Sequence, residues 1–391
     1  MLMSYAKHRH QLLHDYPAIS DLARKAQKRM PDVAWQYLIA GTGEEQLLQR
    51  NRDALNAITI APEFCRGELS PNLEVNFLGQ NYALPFGIAP VGLTGLMWPR
   101  AEILMAQAAA AYRIPFSLST VATETPEALA EHHGGMGWFQ LYPPREKELR
   151  ESLMDRAWAS GFRVLLITAD VPTPSRRERT KRAGLQMPPK MTSGFIWQGI
   201  THPVWSWHTL RRGLPKLRTV ASYSQFQDMM SVGKFVRSRL GGNLSWAICE
   251  EIKAYWKGPV LLKGVLHPAD AEKALAIGLD GVVVSNHGAR QFDGAPAAIT
   301  ALPEIVRVAK GKMGIVMDSG IRTGLDILRA LHLGADFTML GRAFLFGVAA
   351  LGEYGAAHVI EILQDDLKNN MVQLGVAELD NLHKLGADGQ K

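Results

Sequence analysis

Short apolar runs that alternate with amphipathic helical segments constrain this chain more than any other feature of its sequence. Eight such runs follow residue 85, and most are separated by segments whose apolar residues recur every three or four positions, as in helices. The runs are FGIAP (86–90), IPFSLS (114–119), GWFQL (137–141), RVLLIT (163–168), PVLLK (259–263), DGVVVS (280–285), GIVMD (314–318) and DFTML (336–340). Eight strands, each followed by a helix or a long insertion, predict an α/β protein with a closed (β/α)8 TIM barrel.

A doubly wound open sheet is the competing fold class. It would be favoured by a G-x-G-x-x-G motif after the first strand, and the sequence has none there. The GTGEE segment at Gly41 lacks the third glycine and lies in a helical region, so it is interpreted as a break between helices. The barrel is therefore the preferred prediction.

The barrel is expected to carry additions at both ends and one in the middle. We predict an N-terminal helical extension at 1–85, the barrel at 86–352, and a C-terminal helix and tail at 353–391. About ninety residues separate the fourth and fifth predicted strands, and they contain an insertion at 176–222. Loops of such length are usually functional or disordered.

Charge is concentrated in that insertion. Ten Lys and Arg residues but only one acidic residue lie between 176 and 218, whereas the whole chain has a net charge of +6, so the remainder is net negative. Three interpretations are open: a membrane-binding segment, a basic lid over the active site, or, more weakly, a nucleic-acid patch, for which no recognised module is present. Cys65 and Cys249 form no metal-ligand pattern, and no metal site is predicted. The N-terminus has no signal-peptide or spanning run, which predicts a cytoplasmic protein.

Polar and close-approach residues end the predicted strands. In TIM barrels the active site forms at the C-terminal ends of the strands, so these residues are expected to converge. They are Ala89 with Pro90, Ser119, Gln140 with Tyr142, Thr168 with Asp170, Lys263, Ser285 with His287 and Arg290, Asp318, and Gly341 with Arg342. DSGIRTG (318–324) and LGRAF (340–344) place glycine beside arginine after the last two strands, where such barrels bind phosphate. A phosphorylated ligand with a flat polar ring is predicted.

Several motifs in these segments resemble those of the FMN-dependent L-2-hydroxy acid oxidising enzymes, the family of the glycolate oxidase, L-lactate dehydrogenase and mandelate dehydrogenase types. The likeness extends from about residue 17 to about residue 352 and is strongest to the mandelate dehydrogenase-like branch. The motifs are WQYLIAG, APVGLTG, SLSTVAT, FQLY, TADVPTPSRRER, LLKGV, SNHGARQ, DSGIR and LGRAF, in family order. DSGIR has serine where some members have a second glycine.

The resemblance implies a set of catalytic residues. His287 matches the family's base, and Asp170 matches the carboxylate that pairs with it. Arg290 would bind the substrate carboxylate, and Tyr142 would hydrogen-bond the substrate hydroxyl or ketone oxygen. Tyr37 and Arg177 match a tyrosine and a second arginine beside that carboxylate.

The resemblance also implies FMN as cofactor. Its ring would lie against Ala89, Pro90, Val91 and Gly92, with Ser119, Gln140, Thr168 and Lys263 around it; its phosphate would meet Gly320, Arg322, Gly341 and Arg342, and Ser285 and Asp318 would bind the ribityl chain or ring. Oxidases of the family tend to carry alanine at the position of Gly92, which favours a dehydrogenase that passes electrons to a membrane quinone over a soluble oxidase that reduces O2.

Membrane attachment and substrate class follow from the same resemblance. Segment 190–220 resembles the membrane segment of the mandelate and lactate dehydrogenases, which predicts peripheral attachment to the inner face of the cell membrane through Trp197, Trp205 and Trp207. Val121 stands where glycolate-specific members carry tryptophan, so a mandelate-like acid or L-lactate is expected. The resemblance further implies a homotetramer, and no nucleic-acid partner is expected.

Overall fold

The computed structural model describes residues 2–185, 193–213, 215–223, 240 and 244–385. The strands are β1 (Val75–Phe77), β2 (Gln80–Tyr82), β3 (Phe86–Ile88), β4 (Phe116–Ser119), β5 (Gly137–Leu141), β6 (Val164–Thr168), β7 (Val260–Val265), β8 (Gly281–Val284), β9 (Gly314–Met317) and β10 (Phe337–Leu340).

Helices flank these strands along the whole chain. They are α1 (Leu2–Asp15), α2 (Ile19–Arg29), α3 (Asp32–Ile39), α4 (Gln46–Ala57), α5 (Ala101–Tyr112), α6 (Pro126–Leu129), α7 (Lys147–Ala159), α8 (Glu178–Arg182), α9 (Ser193–Thr201), α10 (Pro203–Arg212), α11 (Arg218–Ala221), α12 (Trp246–Tyr255), α13 (Pro268–Ala276), α14 (Ala298–Ala309), α15 (Gly324–His332), α16 (Arg342–Leu351) and α17 (Gly355–Leu374). Single 3-10 turns span Thr94–Leu96, Gly352–Tyr354 and Leu379–Lys384.

Strands β3 to β10 form one closed parallel barrel. Each strand pairs with the next along the chain, and β10 returns to pair with β3, with Thr338 opposite Phe86. Every predicted apolar run contains one of these strands, so the (β/α)8 prediction is confirmed, and the open-sheet alternative is wrong.

Side chains of alternate strand residues fill the barrel interior. Val164 and Leu166 of β6 belong to the interior cluster, whereas Leu165 and Ile167 face the surrounding helices. This alternation follows from the two-residue repeat of a strand. The interior is therefore solid, and only its two ends are available for other groups.

A hairpin closes the N-terminal end of the barrel. Strands β1 and β2 pair antiparallel, and Phe77 at their turn stacks on Phe337 with ring centres 5.4 Å apart. Trp138 donates a hydrogen bond from Nε1 to the Tyr82 hydroxyl at 3.0 Å. The predicted helical extension at 1–85 did not include this hairpin. Because both aromatic rings cover the starts of the strands, only the C-terminal end stays open.

The N-terminal helices reach that open end. Helix α2 packs against α16, and α3 carries Tyr37 and Leu38 to the cavity there. Between α3 and α4 the chain turns through Gly43 and Glu45, both with φ near +60°. The GTGEE segment is thus a break between helices, as predicted.

The described part of the insertion adds two short helices with an exposed apolar face. Trp197 and Trp207 are 65% and 56% exposed, and Leu210 is 80% exposed. Trp205, however, is only 4% exposed and donates from Nε1 to the Leu96 carbonyl at 3.0 Å. The expectation that all three tryptophans face a membrane is wrong for Trp205, because that ring holds α10 onto the barrel. Residues 186–192, 214 and 224–239 of this region lie outside the described residues.

One stretch in the described part of the chain, Arg342–Leu374, is long and apolar enough to cross a membrane. It comprises α16 and α17, and 83% of its most apolar window is buried inside the protein, as in a core helix.

The hairpin should contribute measurably to stability. Replacing Phe77 with alanine removes a buried ring from three-way aromatic packing with Trp138 and Phe337. We expect the free energy of unfolding to fall by about 3 kcal/mol, the lower end for a buried Phe-to-Ala change. Urea denaturation followed by tryptophan fluorescence measures it. Phe64→Ala is the control, since Phe64 is 72% exposed and should change stability by less than about 0.5 kcal/mol. Equal losses for the two variants would contradict a stabilising hairpin.

Candidate active site

The open end of the barrel contains a cavity of about 910 Å³, counted to its mouth. It is lined by residues from all eight strand ends and from α3. Of the predicted site residues, the lining includes Tyr37, Ala89, Pro90, Val91, Gly92, Gln140, Tyr142, Thr168, Arg177, Lys263, His287, Arg290, Asp318, Gly320, Arg322, Gly341 and Arg342. Ser119 and Ser285 lie behind this wall and hydrogen-bond to lining residues.

His287 is held at both ring nitrogens. Its Nδ1 lies 2.9 Å from Asp170 Oδ1, and its Nε2 lies 3.2 Å from the Tyr142 hydroxyl. The backbone at His287 has φ of +58°, an unfavourable conformation for a side-chain-bearing residue, and its N–H donates to Ser285 Oγ at 3.1 Å. This left-handed turn, with Gly288 next to it, allows the imidazole to enter the cavity directly after β8 ends.

The surroundings of His287 favour a neutral, proton-accepting ring. Burial lowers its pKa; Asp170 opposes this, but the positive charges of Lys263 and Arg177 add to the lowering. The pKa of Asp170 is lowered in spite of burial, because His287 and Lys263 stabilise the carboxylate. Burial and the charge of Asp170 raise the pKa of Tyr142, so its hydroxyl remains protonated. The arrangement provides a base at neutral pH, oriented by a carboxylate.

Two arginines line the same cavity as His287. Arg290 donates to the Leu38 carbonyl at 2.7 Å, and its guanidinium lies 5.2 Å from the centre of the Tyr37 ring. Burial and the neighbouring charge of Arg177 lower the pKa of Arg290 to about 10. Among the described residues, neither arginine has a carboxylate within ion-pair distance. The buried Arg290 and the half-buried Arg177 suit an anionic ligand.

Lys263 is the buried charge at the centre of the cavity floor. Its Nζ lies 3.0 Å from Asp318 Oδ2 and donates to Ser285 Oγ at 2.9 Å. Burial alone would lower the pKa of Lys263, but the carboxylates of Asp318 and Asp170 outweigh that effect and raise it. The lysine is therefore charged although it is buried.

A chain of polar side chains follows the neighbouring strand ends. Ser119 donates to Gln140 Oε1 at 2.7 Å, and Gln140 Nε2 donates to Thr168 Oγ1 at 2.7 Å. All three are buried. Next to this chain, the segment that follows β3 forms an apolar part of the wall with Ala89, Val91 and neighbouring residues. One apolar and one polar wall suit a flat ring with hydrogen-bonding edges.

The end of the cavity near β9 and β10 is strongly basic. Burial and the charge of Arg52 lower the pKa of Arg322 to about 10. Arg342 donates to the carbonyls of Leu38, Ala40 and Gly288, and burial, with Arg290 and Arg322 nearby, lowers its pKa well below the usual value. Gly320, with φ of +92°, lines the same end, and its carbonyl accepts a hydrogen bond from Arg52 at 2.7 Å.

These residues fit FMN. The basic end offers buried guanidiniums and glycine backbone for a phosphate, and the polar chain and Lys263 lie where a ring placed on the Ala89 wall would present its heteroatoms. An added Cβ at Gly341 would lie 3.1 Å from Val91, so glycine keeps this end of the wall open. The residues that would hold the cofactor are thus Arg322, Gly320, Lys263 and Gln140.

Sequence reasoning missed several residues that shape the site. Ser319, with φ of +75°, accepts from the N–H groups of Asn286 and Gly288 and donates to Asp318 at 2.7 Å. The amides of Asn51 and Asn286 hydrogen-bond to each other in the core, tying α4 to the loop that carries His287. The serine in DSGIR and the asparagine in SNHGARQ were visible in the sequence, but their partners are remote along the chain.

The fold and cavity together define a barrel enzyme that holds a phosphorylated ring cofactor beside a proton-accepting histidine. A family profile described as FMN-dependent dehydrogenase matches residues 26–386. The chain belongs to this family, and FMN is its cofactor. The resemblance found in the sequence is confirmed at this level, whereas the individual roles of the site residues stay predictions.

Known proteins resemble nearly the whole chain. An L-lactate dehydrogenase of Pseudomonas paraeruginosa is 36% identical over 370 residues, which cover 93% of this chain and 96% of that protein. One from Stenotrophomonas maltophilia is 37% identical, with 93% and 97% covered. The solved structure of the monotopic membrane protein (S)-mandelate dehydrogenase superimposes with a TM-score of 0.88 at 32% identity, covering 95% of this chain and 98% of that one. Mandelate oxidase gives 0.81 at 29%, with the same coverage.

The His287–Asp170 pair makes a prediction about proton affinity. Because the carboxylate favours the imidazolium, Asp170→Asn should lower the pKa of His287 further and move its titration to lower pH. NMR titration of the holoenzyme labelled with 13C at histidine Cε1 measures this shift, and the spectrum of His287→Gln assigns the signal. Asp155→Asn, at an exposed carboxylate that bonds Tyr255, should leave the titration unchanged. A rise in the pKa of His287 in Asp170→Asn would contradict the described electrostatics.

Proposed function

We propose that this FMN-dependent dehydrogenase oxidises an L-2-hydroxy acid to the 2-keto acid, with His287 as the base and Arg290 as the carboxylate ligand. The observation that carries the proposal is the presence, in one cavity, of a proton-accepting imidazole held by Asp170 at 2.9 Å and of a buried guanidinium with no carboxylate within ion-pair distance among the described residues. A 2-hydroxy acid has its carboxylate one bond away from the carbon that loses hydrogen, and therefore needs both groups close together.

Substrate binding would begin at the arginines. A bound carboxylate would pair with Arg290 and Arg177. Its negative charge would compensate the positive charge of Arg290, which burial makes unfavourable. The Tyr37 hydroxyl, which donates to the Gly92 carbonyl at 3.2 Å, lies beside the same guanidinium and can turn towards the carboxylate. This pairing would orient the substrate hydroxyl towards Tyr142 and His287.

Proton transfer would then follow from the geometry of His287. FMN, when bound, would accept the two electrons and the second of the two hydrogens that leave the substrate. Nε2 of His287 receives the proton, Tyr142 donates a hydrogen bond to the substrate oxygen, and Asp170 stabilises the resulting imidazolium through Nδ1. Lys263 holds its positive charge beside the ring position and favours negative charge developing there.

The substrate side chain would lie against Gly92 and Val121. Both line the cavity, and an added Cβ at Gly92 would lie 2.6 Å from Val121 Cγ2, so the two residues share one patch of wall. Small residues at both positions leave space beyond a methyl group. A mandelate-like acid or L-lactate is the substrate class, with a slight preference for the aromatic acid.

We further propose peripheral attachment to the inner face of the cell membrane. The apolar face of α9 and α10, formed by Trp197, Ile200, Val204, Trp207 and Leu210, is exposed, and Arg211 and Arg212 follow it. Exposed tryptophan next to cationic side chains is typical of interfacial helices. The similar (S)-mandelate dehydrogenase is a monotopic membrane protein. A membrane quinone would then receive the electrons, and a homotetramer stays a prediction from the resemblance.

The first test is anaerobic reduction of the bound flavin. L-Lactate and (S)-mandelate should bleach the flavin absorbance of the purified yellow protein, and glycolate should do so more slowly. His287→Gln should keep the flavin but reduce the bleaching rate by about 100- to 10,000-fold, the usual contribution of a general base. Stopped-flow absorbance measures both rates.

His332→Gln is the matched control, since His332 bonds the Leu382 carbonyl far from the cavity, and should bleach at the wild-type rate. Bleaching of His287→Gln at the wild-type rate would rule out His287 as the base. A colourless protein that takes up no FMN would contradict the predicted cofactor site.

The second test concerns attachment. Trp207→Ser with Leu210→Ser removes two exposed apolar side chains and should lower vesicle binding at least tenfold while substrate still bleaches the flavin. Sedimentation with phospholipid vesicles measures the bound fraction, and Phe64→Ser is the control at an exposed phenylalanine elsewhere. Wild-type protein that stays in solution with vesicles and forms peroxide rapidly under air would favour a soluble oxidase instead.

A further inference from the structure

A second cavity lies at the base of the insertion, apart from the active site. It measures about 800 Å³ to its mouth and lies between the end of α10, the start of α5 and the loop before α6. Its charged lining consists of Arg100, Arg212, Lys216, Arg218 and Glu124. None of these residues lines the flavin cavity.

Positive charge is in excess in this cavity. Arg218 pairs with Glu124 at 3.2 Å, but Arg100, Arg212 and Lys216 have no carboxylate partner in the described part of the chain. Burial raises the pKa of Glu124, and the charges of Arg218, Arg100 and Arg212 oppose that rise. Four cations therefore face a single carboxylate on the cavity wall.

The positive potential extends to the neighbouring helix face. The His208 ring contacts the Trp98 ring at a tilt of 46° with ring centres 5.1 Å apart, and burial, together with Arg29, Arg211 and Arg212, lowers the pKa of His208. An uncharged histidine beside these arginines keeps the apolar face of α10 free of additional charge. The cationic cavity thus adjoins an apolar surface that is exposed.

We propose that this second cavity binds the phosphodiester headgroup of an anionic phospholipid while the adjoining apolar face lies among its acyl chains. The inference rests on the proposed membrane attachment and adds the lipid class to it. Guanidinium and ammonium groups pair well with phosphate oxygens, and an occupant with one anionic and one apolar part matches the arrangement of the two surfaces. Because Arg100 precedes α5 and Arg212 ends α10, a bound phosphate would join the insertion to the barrel.

The headgroup alone tests the cavity without any membrane. Calorimetric titration of the holoenzyme with sn-glycero-3-phosphoglycerol should show binding that falls at least tenfold in Arg212→Gln with Lys216→Gln. The same charge change outside the cavity, Lys181→Gln with Arg182→Gln on α8, should leave it within twofold. No binding by wild type, or equal loss in both variants, would overturn the proposal. Inorganic phosphate that binds as tightly as the headgroup would identify a simple anion site and also overturn it.

Binding to phospholipid vesicles then distinguishes a headgroup site in the cavity from membrane attachment in general. Partitioning of the wild type to phosphatidylglycerol vesicles should exceed that to phosphatidylcholine, and the cavity variant should lose about 30-fold of this preference, the effect of two cations at a membrane surface. Equal binding to both lipids, unaffected by the variant, would overturn the headgroup site and leave attachment standing. Headgroup binding without binding to either vesicle would instead contradict attachment and retain the cavity as a phosphodiester site. Flavin bleaching by substrate should be the same in all variants.

Discussion

Pairing of buried charges at the mouth of the barrel is the constraint on which the site depends. Lys263 Nζ lies 3.0 Å from Asp318 Oδ2, and His287 Nδ1 lies 2.9 Å from Asp170 Oδ1. Their surroundings are buried, so an isolated charge there would be unfavourable. Each charge stabilises its neighbour: Lys263 stays protonated because two carboxylates face it, and its positive charge helps to keep His287 neutral. Removing one member would therefore alter the proton affinities of the others.

The rest of the fold closes the other end of the barrel and covers part of this one. Aromatic packing of Phe77 and Tyr82 fills the opposite end, so ligands can enter only where the charges lie. Helix α3 covers part of the open end and contributes Tyr37. The buried Asn51–Asn286 pair fixes the loop of His287 to α4, which makes the N-terminal segment part of the site.

Much of this could be predicted from the sequence, and the exceptions have physical reasons. Runs such as GWFQL predicted strands well because parallel strands buried on both faces are continuously apolar. Strands β1 and β2 escaped notice because only one of the three residues in each is buried, so neither forms an apolar run. Trp205 was predicted to face a membrane because of its residue type alone. Its helical spacing, however, places it on the same face of α10 as Thr209, which is also buried. Hydrogen bonds such as Asn51–Asn286 join residues 235 positions apart, which no local pattern reveals.

A single backbone carbonyl has consequences for how the enzyme is made. The Leu38 oxygen accepts from Arg290 and from Arg342, which lie 252 and 304 residues further along the chain. The barrel likewise closes only when its first strand, β3, pairs with its last strand, β10. During synthesis, the contacts of α3 with Arg290 and Arg342 can therefore form only after almost the entire polypeptide has been made. The nascent chain cannot assemble a complete flavin pocket until it has nearly left the ribosome, so cofactor capture becomes a late step of biogenesis.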